Sequence, residues 1–192
     1  MLLAVVATAG GCQRRDEPAP AATPPFMTDA TIKDLMLNIV DTSADVVWLS
    51  VTTVQDEHGI TETRPQNYDD WTRVRSGAIT LAEAANLLMI PGRRVARPGE
   101  KSDTPGVELE PEEMEVLINK DLNAWNERAK ALHVAATSAV RAAEMQDADK
   151  IFEIGEQIEH ACENCHKQYW YPNEQLPVFP GDPPPGPVPA PK

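Results

Sequence analysis

The chain has 192 residues, of which 42% are hydrophobic, so it is long enough to bury one sizeable core. Its 30 acidic and 17 basic residues give a net charge of -13, which argues against nucleic acid and favours a basic or locally neutral docking partner. The 18 prolines concentrate near both ends and in one central loop, which predicts a single domain between extended tails.

The first residues resemble a secretion signal. Residues 1–11 read MLLAVVATAGG, an apolar run that is too short to cross a bilayer and resembles the hydrophobic region of a signal peptide. A basic region ahead of this run is missing, which leaves open a start of translation further upstream. Cys12 follows Gly10 and Gly11 in a pattern that resembles a bacterial lipobox, so we predict a lipid anchor on Cys12. The alternative is an ordinary cysteine in a signal peptide or an arm.

Proline-rich segments flank the predicted domain, which spans residues 29–171. Residues 12–28 are polar and rich in proline, and they predict an extended tether. Residues 172–192 end in GDPPPGPVPAPK, which holds too much proline to pack, and they predict a disordered tail.

Two helices are predicted in the first half of the domain. The first runs from about Asp29 to Val54, with apolar residues near helical spacing that include Met36 and either Ile39 or Val40. Residues 55–67 predict a loop. The second helix runs from about Tyr68 to residue 90, where Pro91 and Gly92 stop it. The polar loop that follows holds three arginines and Lys101, and we expect it to be solvated.

Two further helices are predicted in the second half. The third begins near Pro111, a residue suited to a first helical turn, and its apolar residues alternate in steps of three and four. That stripe consists of Met114, Ile118, Leu122, Trp125, Ala129, Leu132, Ala136, Ala139 and Ala143. Asp147 is the predicted cap of the fourth helix, which Pro172 closes. Four amphipathic helices and no strand pattern predict an all-α protein, an up-down-up-down four-helix bundle.

One motif on the fourth helix points to a cofactor. Cys162, Cys165 and His166 form C-x-x-C-H, the attachment signature of a c-type haem. Residues three and four apart share one face of a helix, so two thiols and one imidazole can hold a flat macrocycle from a single turn. The cysteines lie on the core-facing stripe, which predicts haem c near the C-terminus of the last helix. The histidine supplies one axial ligand to the iron.

Two other interpretations of the cysteine pair are weaker. A thiol-redox C-x-x-C normally accompanies a βαβ pattern, which the sequence lacks. A structural zinc site needs four ligands, and the third cysteine, Cys12, is distant in the sequence.

The predicted topology limits the second axial ligand. The fourth helix ends where the first begins, the second ends and the third begins, which places Met36, Met89 and Met114 at the haem end. His58, His133 and His160 lie in a loop or away from the haem face, and we expect none of them to bind iron.

Together these features resemble the cytochrome c-prime family, over roughly residues 29–171. The resemblance rests on C-x-x-C-H near the end of the last of four helices and on residues 31–48, TIKDLMLNIVDTSADVVW, which are similar to the family's first helix. It implies Met36 as the sixth iron ligand, as in low-spin members. High-spin members have an apolar residue there and bind nitric oxide or carbon monoxide. The chain departs from the family at Trp170, where many members carry a basic residue near the proximal imidazole.

These features predict a one-haem electron carrier in the bacterial periplasm, with His166 and Met36 on the iron and a redox protein as partner. A five-coordinate haem protein that binds small gases is the alternative, and a structural lipoprotein without haem is a weaker one. No acid, base or nucleophile constellation is visible, so we do not expect an enzyme. The resemblance also leaves open a homodimer through the first two helices.

Overall fold

The computed structural model describes residues 26–174, which are mostly helical and include one small two-stranded sheet. The signal-like segment, Cys12, most of the tether and the tail beyond Glu174 lie outside the described residues. Within residues 26–174, no helix has both the length and the apolar character needed to cross a bilayer.

The first helix is continuous but changes its winding. It consists of α1 (Ile32–Leu35), a π-helical turn π1 (Met36–Val40) and α2 (Asp41–Trp48). A reciprocal capping box starts it: Thr31 Oγ1 accepts from the Asp34 N–H, and Asp34 Oδ2 accepts from the Thr31 N–H, both at 3.0 Å. The helix therefore begins three residues after the predicted Asp29.

A β-hairpin follows where the sequence predicted the end of a helix and a loop. Strands β1 (Thr52–Asp56) and β2 (Gly59–Thr63) pair in antiparallel fashion, with Val54 opposite Thr61. Both strands are rich in β-branched residues, which favour extended backbone over helix. Gly59 adopts a φ of +127°, which closes the turn between them. The predicted absence of strands was therefore wrong, and so was the helical assignment of Val54.

The second predicted helix, α3 (Tyr68–Leu88), begins at the predicted residue and ends two residues early. Asn67 caps it, because its Oδ1 accepts from the Asp70 N–H at 3.0 Å. Gly77 lies where α3 crosses α2: a Cβ there would lie 2.6 Å from Val46 Cγ1. The two helices therefore approach more closely than any residue larger than glycine allows.

The third predicted helix is broken. It consists of α4 (Pro111–Lys120) and α5 (Leu122–Glu144), separated by Asp121, whose φ of -146° and ψ of 81° are not helical. Asp121 Oδ1 accepts from the Ala124 N–H at 3.0 Å, which caps α5. The break turns Leu122 outward, and this residue of the predicted apolar stripe is 41% exposed.

The last helix, α6 (Ala148–Tyr169), begins after Asp147 as predicted, and Asp147 Oδ1 accepts from the Lys150 N–H at 2.9 Å. α6 packs against α5 and α2, and α3 packs against α5 and α2, so these four helices surround a shared core. Trp48 links α2 to α6, because its Nε1 donates to the Gly155 carbonyl at 3.0 Å.

The loop between α3 and α4 packs onto the start of the first helix. The Ile32 N–H donates to the Arg94 carbonyl at 2.8 Å, and the Lys33 N–H donates to the Val95 carbonyl at 2.9 Å. Most of the loop is exposed, as expected, but Val95 and Ala96 are buried. The first N–H groups of a helix lack partners within it, and this loop supplies acceptors.

Buried residues form two clusters. The first, called here the alanine core, lies among α2, α3, α5 and α6 and includes Ala78, Ala85, Ala136, Ala139, Leu81, Ile154 and Ile158. The second, called here the end cluster, includes Ile32, Leu35, Leu88, Val95, Ile118, Trp125, Ala129 and Tyr169. Met36 packs against both clusters, and it therefore marks their boundary.

Candidate functional site: a cavity between the two clusters

A cavity of about 440 Å³ lies at this boundary. Cys162 lines it and packs against the alanine core, while Cys165 lines it and packs against the end cluster. His166 and Met36 also line it. The structure thus brings together all four of the site residues predicted from the sequence, three from α6 and one from π1. The volume of the cavity lies within the usual range for small-molecule and cofactor sites.

The π turn explains how Met36 reaches the cavity. The Asp41 N–H donates to the Met36 carbonyl, a bond that spans five residues where an α-helix spans four. One row of residues that line the cavity on this helix recurs every four positions: Ile32, Met36, Val40, Ala44 and Trp48. Lys33, Leu37 and Asp41 form a shorter adjacent row with the same spacing. A spacing of four exceeds the α-helical period of about 3.6, so the row would drift around a regular helix. The wider turn reduces this drift and keeps Met36 aligned with Val40.

Both thiols of the cavity are held in their protonated form. Burial is the main cause that raises the pKa of Cys162 to about 11, with the nearby carboxylates of Glu159 and Glu163 adding to it. Burial also raises the pKa of Cys165 to about 12. A thiol-redox pair needs a thiolate with a lowered pKa. These surroundings therefore weigh against the thiol-redox interpretation.

Two aromatic rings enclose His166. The ring of Trp170 lies 5.0 Å from the imidazole at an interplanar angle of 90°, and the ring of Tyr171 lies 5.8 Å away at 63°. Both residues also donate their backbone N–H groups to the His166 carbonyl, at 2.7 and 3.0 Å. Burial lowers the pKa of His166, which favours the neutral imidazole that binds metals.

Tyr171 is held in turn by Glu163. The Tyr171 hydroxyl donates to Glu163 Oε1 at 2.6 Å, and this hydrogen bond is the main cause that lowers the pKa of Glu163. Lys167 Nζ lies 3.3 Å from Glu163 Oε2 and does not line the cavity. Sequence reasoning missed Glu163 and Tyr171, although both adjoin the motif, because only the helix end and the turn after it bring Tyr171 back onto His166.

The three methionines predicted at this end of the molecule differ in position. Met36 and Met114 line the main cavity. Met89 instead lines a neighbouring cavity of about 20 Å³, beside Trp125. His58, His133 and His160 are not among the residues that line the main cavity. The described sulfur donors of the cavity, besides the two cysteines, are therefore Met36 from π1 and Met114 from α4.

Two tryptophans pack in the interior of the molecule. Trp71 and Trp125 are 9% and 5% exposed, and Trp125 Nε1 donates to the Leu88 carbonyl at 2.8 Å. The Trp125 ring also meets Tyr169 edge to face, with 5.1 Å between ring centroids. These contacts fix the wall of the cavity that α5 and α6 share.

No protein-family model matches the chain, and no match was found among the curated proteins or among the solved structures compared with it. The resemblance to cytochrome c-prime therefore depends on the residues of the haem motif and of the first helix.

Proposed function

We propose that this protein is a one-haem c-type cytochrome that carries single electrons. The observation that carries the proposal is the convergence of Cys162, Cys165, His166 and Met36 on one cavity, from helices that are distant in the sequence. The motif alone needs only one turn of α6. The thioether of Met36 lies on the first helix, so its presence at the cavity does not follow from the motif on α6.

The proposed architecture is a four-helix bundle of up-down-up-down topology. Its four members are the first helix with its π turn, α3, the broken pair α4 and α5, and α6. The mutual packing of α2, α3, α5 and α6 around the alanine core supports it. In this arrangement haem c lies near the C-terminus of α6, against the end cluster.

The residues present fit a covalently held haem. The S–H groups of Cys162 and Cys165 would each add across one vinyl group, so that two thioether bonds attach the macrocycle to α6. The neutral imidazole of His166 and the thioether sulfur of Met36 would be the two protein ligands of the iron. When bound, the haem supplies a one-electron couple.

The surroundings of the cavity suit electron transfer rather than catalysis. Two protein ligands leave no position on the iron for a substrate, and a methionine sulfur favours the reduced state. The rings of Trp170 and Tyr171 contact the imidazole, and most of the exposed surface of the cavity wall is apolar. The chain would exchange electrons with a redox protein at the cavity mouth, where Leu37 is 59% exposed.

The proposal places the protein in the bacterial periplasm, because c-type haem is attached outside the cytoplasm in the bacterial families that share this motif. A lipid on Cys12 and the tether of residues 12–28 would then hold the domain near a membrane.

Covalent haem is the first property to test. We expect the chain produced with a c-type haem maturation system to keep haem through denaturing electrophoresis, as shown by haem peroxidase staining. The double substitution Cys162→Ala/Cys165→Ala should abolish the stain, and Cys12→Ala should keep it. An unstained parent chain would overturn the proposal, and so would a double variant that stains as strongly as its parent.

A further inference from the structure

One arginine of the cavity wall has no carboxylate partner. Arg128 lies on α5, is partly buried and lines the cavity. Its Nε donates to Gln168 Oε1 at 2.9 Å, and Gln168 is neutral. Among residues 26–174 no carboxylate lies within ion-pair distance of this guanidinium, although the chain has 30 acidic residues.

The two lysines that line the cavity each lie beside a carboxylate. Lys33 Nζ lies 4.0 Å from Glu100 Oε1, and Lys101 Nζ lies 3.7 Å from carboxylate oxygens of both Glu110 and Glu112. Each of these side chains therefore has its charge balanced within the chain. A partly buried cation without a counter-ion costs free energy, so Arg128 is the group of the wall that gains most from an anionic ligand.

The guanidinium is also held in a defined position. Its bond to Gln168 uses the Nε–H, and Gln168 Nε2 donates to the Tyr169 hydroxyl at 3.1 Å. The two terminal nitrogens, with four N–H groups, are left for a ligand. A planar pair of nitrogens matches the two oxygens of a carboxylate.

We propose that Arg128 is a positioning residue that pairs with a carboxylate of the bound haem. This inference rests on the proposed function, since haem carries two propionate carboxylates and no other charged substituent. Ser102 independently indicates a polar group of the ligand in the same cavity. Its hydroxyl oxygen is buried, has no hydrogen-bond partner in the described part of the chain, and lines the same cavity. A carboxylate can accept from it, which removes the cost of an unpaired hydroxyl.

The test compares Arg128→Gln with Arg141→Gln in the haem-loaded protein. Arg141 lies on the same helix, is exposed and does not line the cavity, so its substitution removes an equal charge elsewhere. Loss of the cation beside a haem carboxylate leaves a negative charge uncompensated, which favours oxidised iron. We expect Arg128→Gln to lower the ratio of reduced to oxidised haem about tenfold at a fixed solution potential. Arg141→Gln should change it much less.

Resonance Raman spectroscopy gives a second readout, because the propionate bending band responds to the hydrogen bonds of the carboxylate. The band should shift in Arg128→Gln and stay in place in Arg141→Gln. If Arg128→Gln does not accumulate, Arg128→Lys keeps the charge but loses the planar fork, and it should shift the band with a smaller change in potential. A band and a potential equal to those of the Arg141 control would overturn the inference.

Failure of this inference differs from failure of the proposed function. A parent chain without covalent haem overturns both. A parent chain that holds haem through Cys162 and Cys165, with an Arg128 variant unchanged in both readouts, overturns only the pairing of Arg128.

Discussion

The alanine core and the end cluster are built from different residues and by different helix geometry. More than half of the buried residues of the alanine core are alanines, and Ala78, Ala85 and Ala136 are fully buried there, beside larger side chains such as Leu81 and Ile158. The end cluster uses large side chains such as Trp125 and Tyr169. The break at Asp121 lies between Ile118 and Trp125 of the end cluster, and the π turn runs from the end cluster at Leu35 to the alanine core at Val40.

This difference shows how one chain can be densely packed and still hold a cavity. Small residues let helices approach closely, and few gaps remain between them. Where the helices bend, break or end in loops, large side chains surround a space without filling it. Cys162, Cys165, His166 and Met36 all face that space.

The largest difference between the alanine core and the end cluster is expected when one alanine of each is replaced by leucine, which adds the same side-chain volume to both. Ala136 and Ala129 lie two turns apart on α5, and both are buried, but only Ala129 lines the cavity. In a Cys162→Ala/Cys165→Ala background, we expect Ala136→Leu to lower the free energy of unfolding by about 3 kcal/mol, because it overpacks the core. Ala129→Leu should cost less than about 1 kcal/mol, because the cavity accepts the side chain. Urea unfolding followed by circular dichroism measures both.

With both cysteines present, Ala129→Leu should also reduce covalent haem attachment, since the added side chain occupies the cavity. Equal losses of stability at the two positions would contradict the contrast between a dense core and an open end.

The close approach of α2 and α3 is tested by Gly77→Ala. Alanine favours a helix over glycine by about 1 kcal/mol, but its Cβ would lie 2.6 Å from Val46 Cγ1. Overpacking typically costs about 1–3 kcal/mol, so we expect a net loss of up to about 2 kcal/mol in the free energy of unfolding. Ser76→Ala, on the exposed side of the same turn, is the control and should change stability by less than about 0.5 kcal/mol. A more stable Gly77→Ala protein would show that the helices do not meet so closely.

The helix break at Asp121 is tested by Asp121→Ala. This substitution removes the side-chain acceptor of the Ala124 N–H and should cost about 1 kcal/mol of unfolding free energy in thermal or urea unfolding. Asn123→Ala, which is exposed and makes no cap, is its control. If the two variants are equally stable, α4 and α5 behave as one helix.

The hydrogen bond between Tyr171 and Glu163 is tested by Tyr171→Phe. The substitution removes the hydroxyl that donates to Glu163 but keeps the ring beside His166. We expect a loss of about 1 kcal/mol in urea unfolding. Glu163→Ala combined with Tyr171→Phe should cost less than the sum of the two single changes, because each single change already removes the hydrogen bond. Additive losses would show that the hydrogen bond is not formed.

Much of the helical pattern could be predicted from the sequence, because its signals are local. Asp147 marked the start of α6 correctly, and the start of α3 at Tyr68 was also predicted. The π turn was not, since the sequence left Ile39 and Val40 equally suited to the core; the turn resolves this in favour of Val40, which is buried. The break at Asp121 interrupts an apolar period that is otherwise regular, so the period concealed it.

The residues of the site also divide into those with a local sequence signal and those without one. The haem motif lies within five residues, and Met36 was placed by topology and by the family resemblance. Arg128 and Ser102 lie at separate points of the chain, and nothing in their local sequence distinguishes them. They stand out because, among residues 26–174, the guanidinium has no carboxylate partner and the buried hydroxyl has no acceptor. Such features can be recognised only in a folded structure.

The most direct test of a Met36-ligated electron carrier is the optical spectrum of the haem-loaded protein. It would be recorded oxidised, reduced, and reduced with carbon monoxide, for the parent chain and for Met36→Ala and Met114→Ala. The account predicts a low-spin parent that carbon monoxide does not alter, an altered Met36 variant that binds carbon monoxide, and a Met114 variant like the parent. A high-spin parent that responds to carbon monoxide would contradict it, and would make gas binding at an open iron the better description.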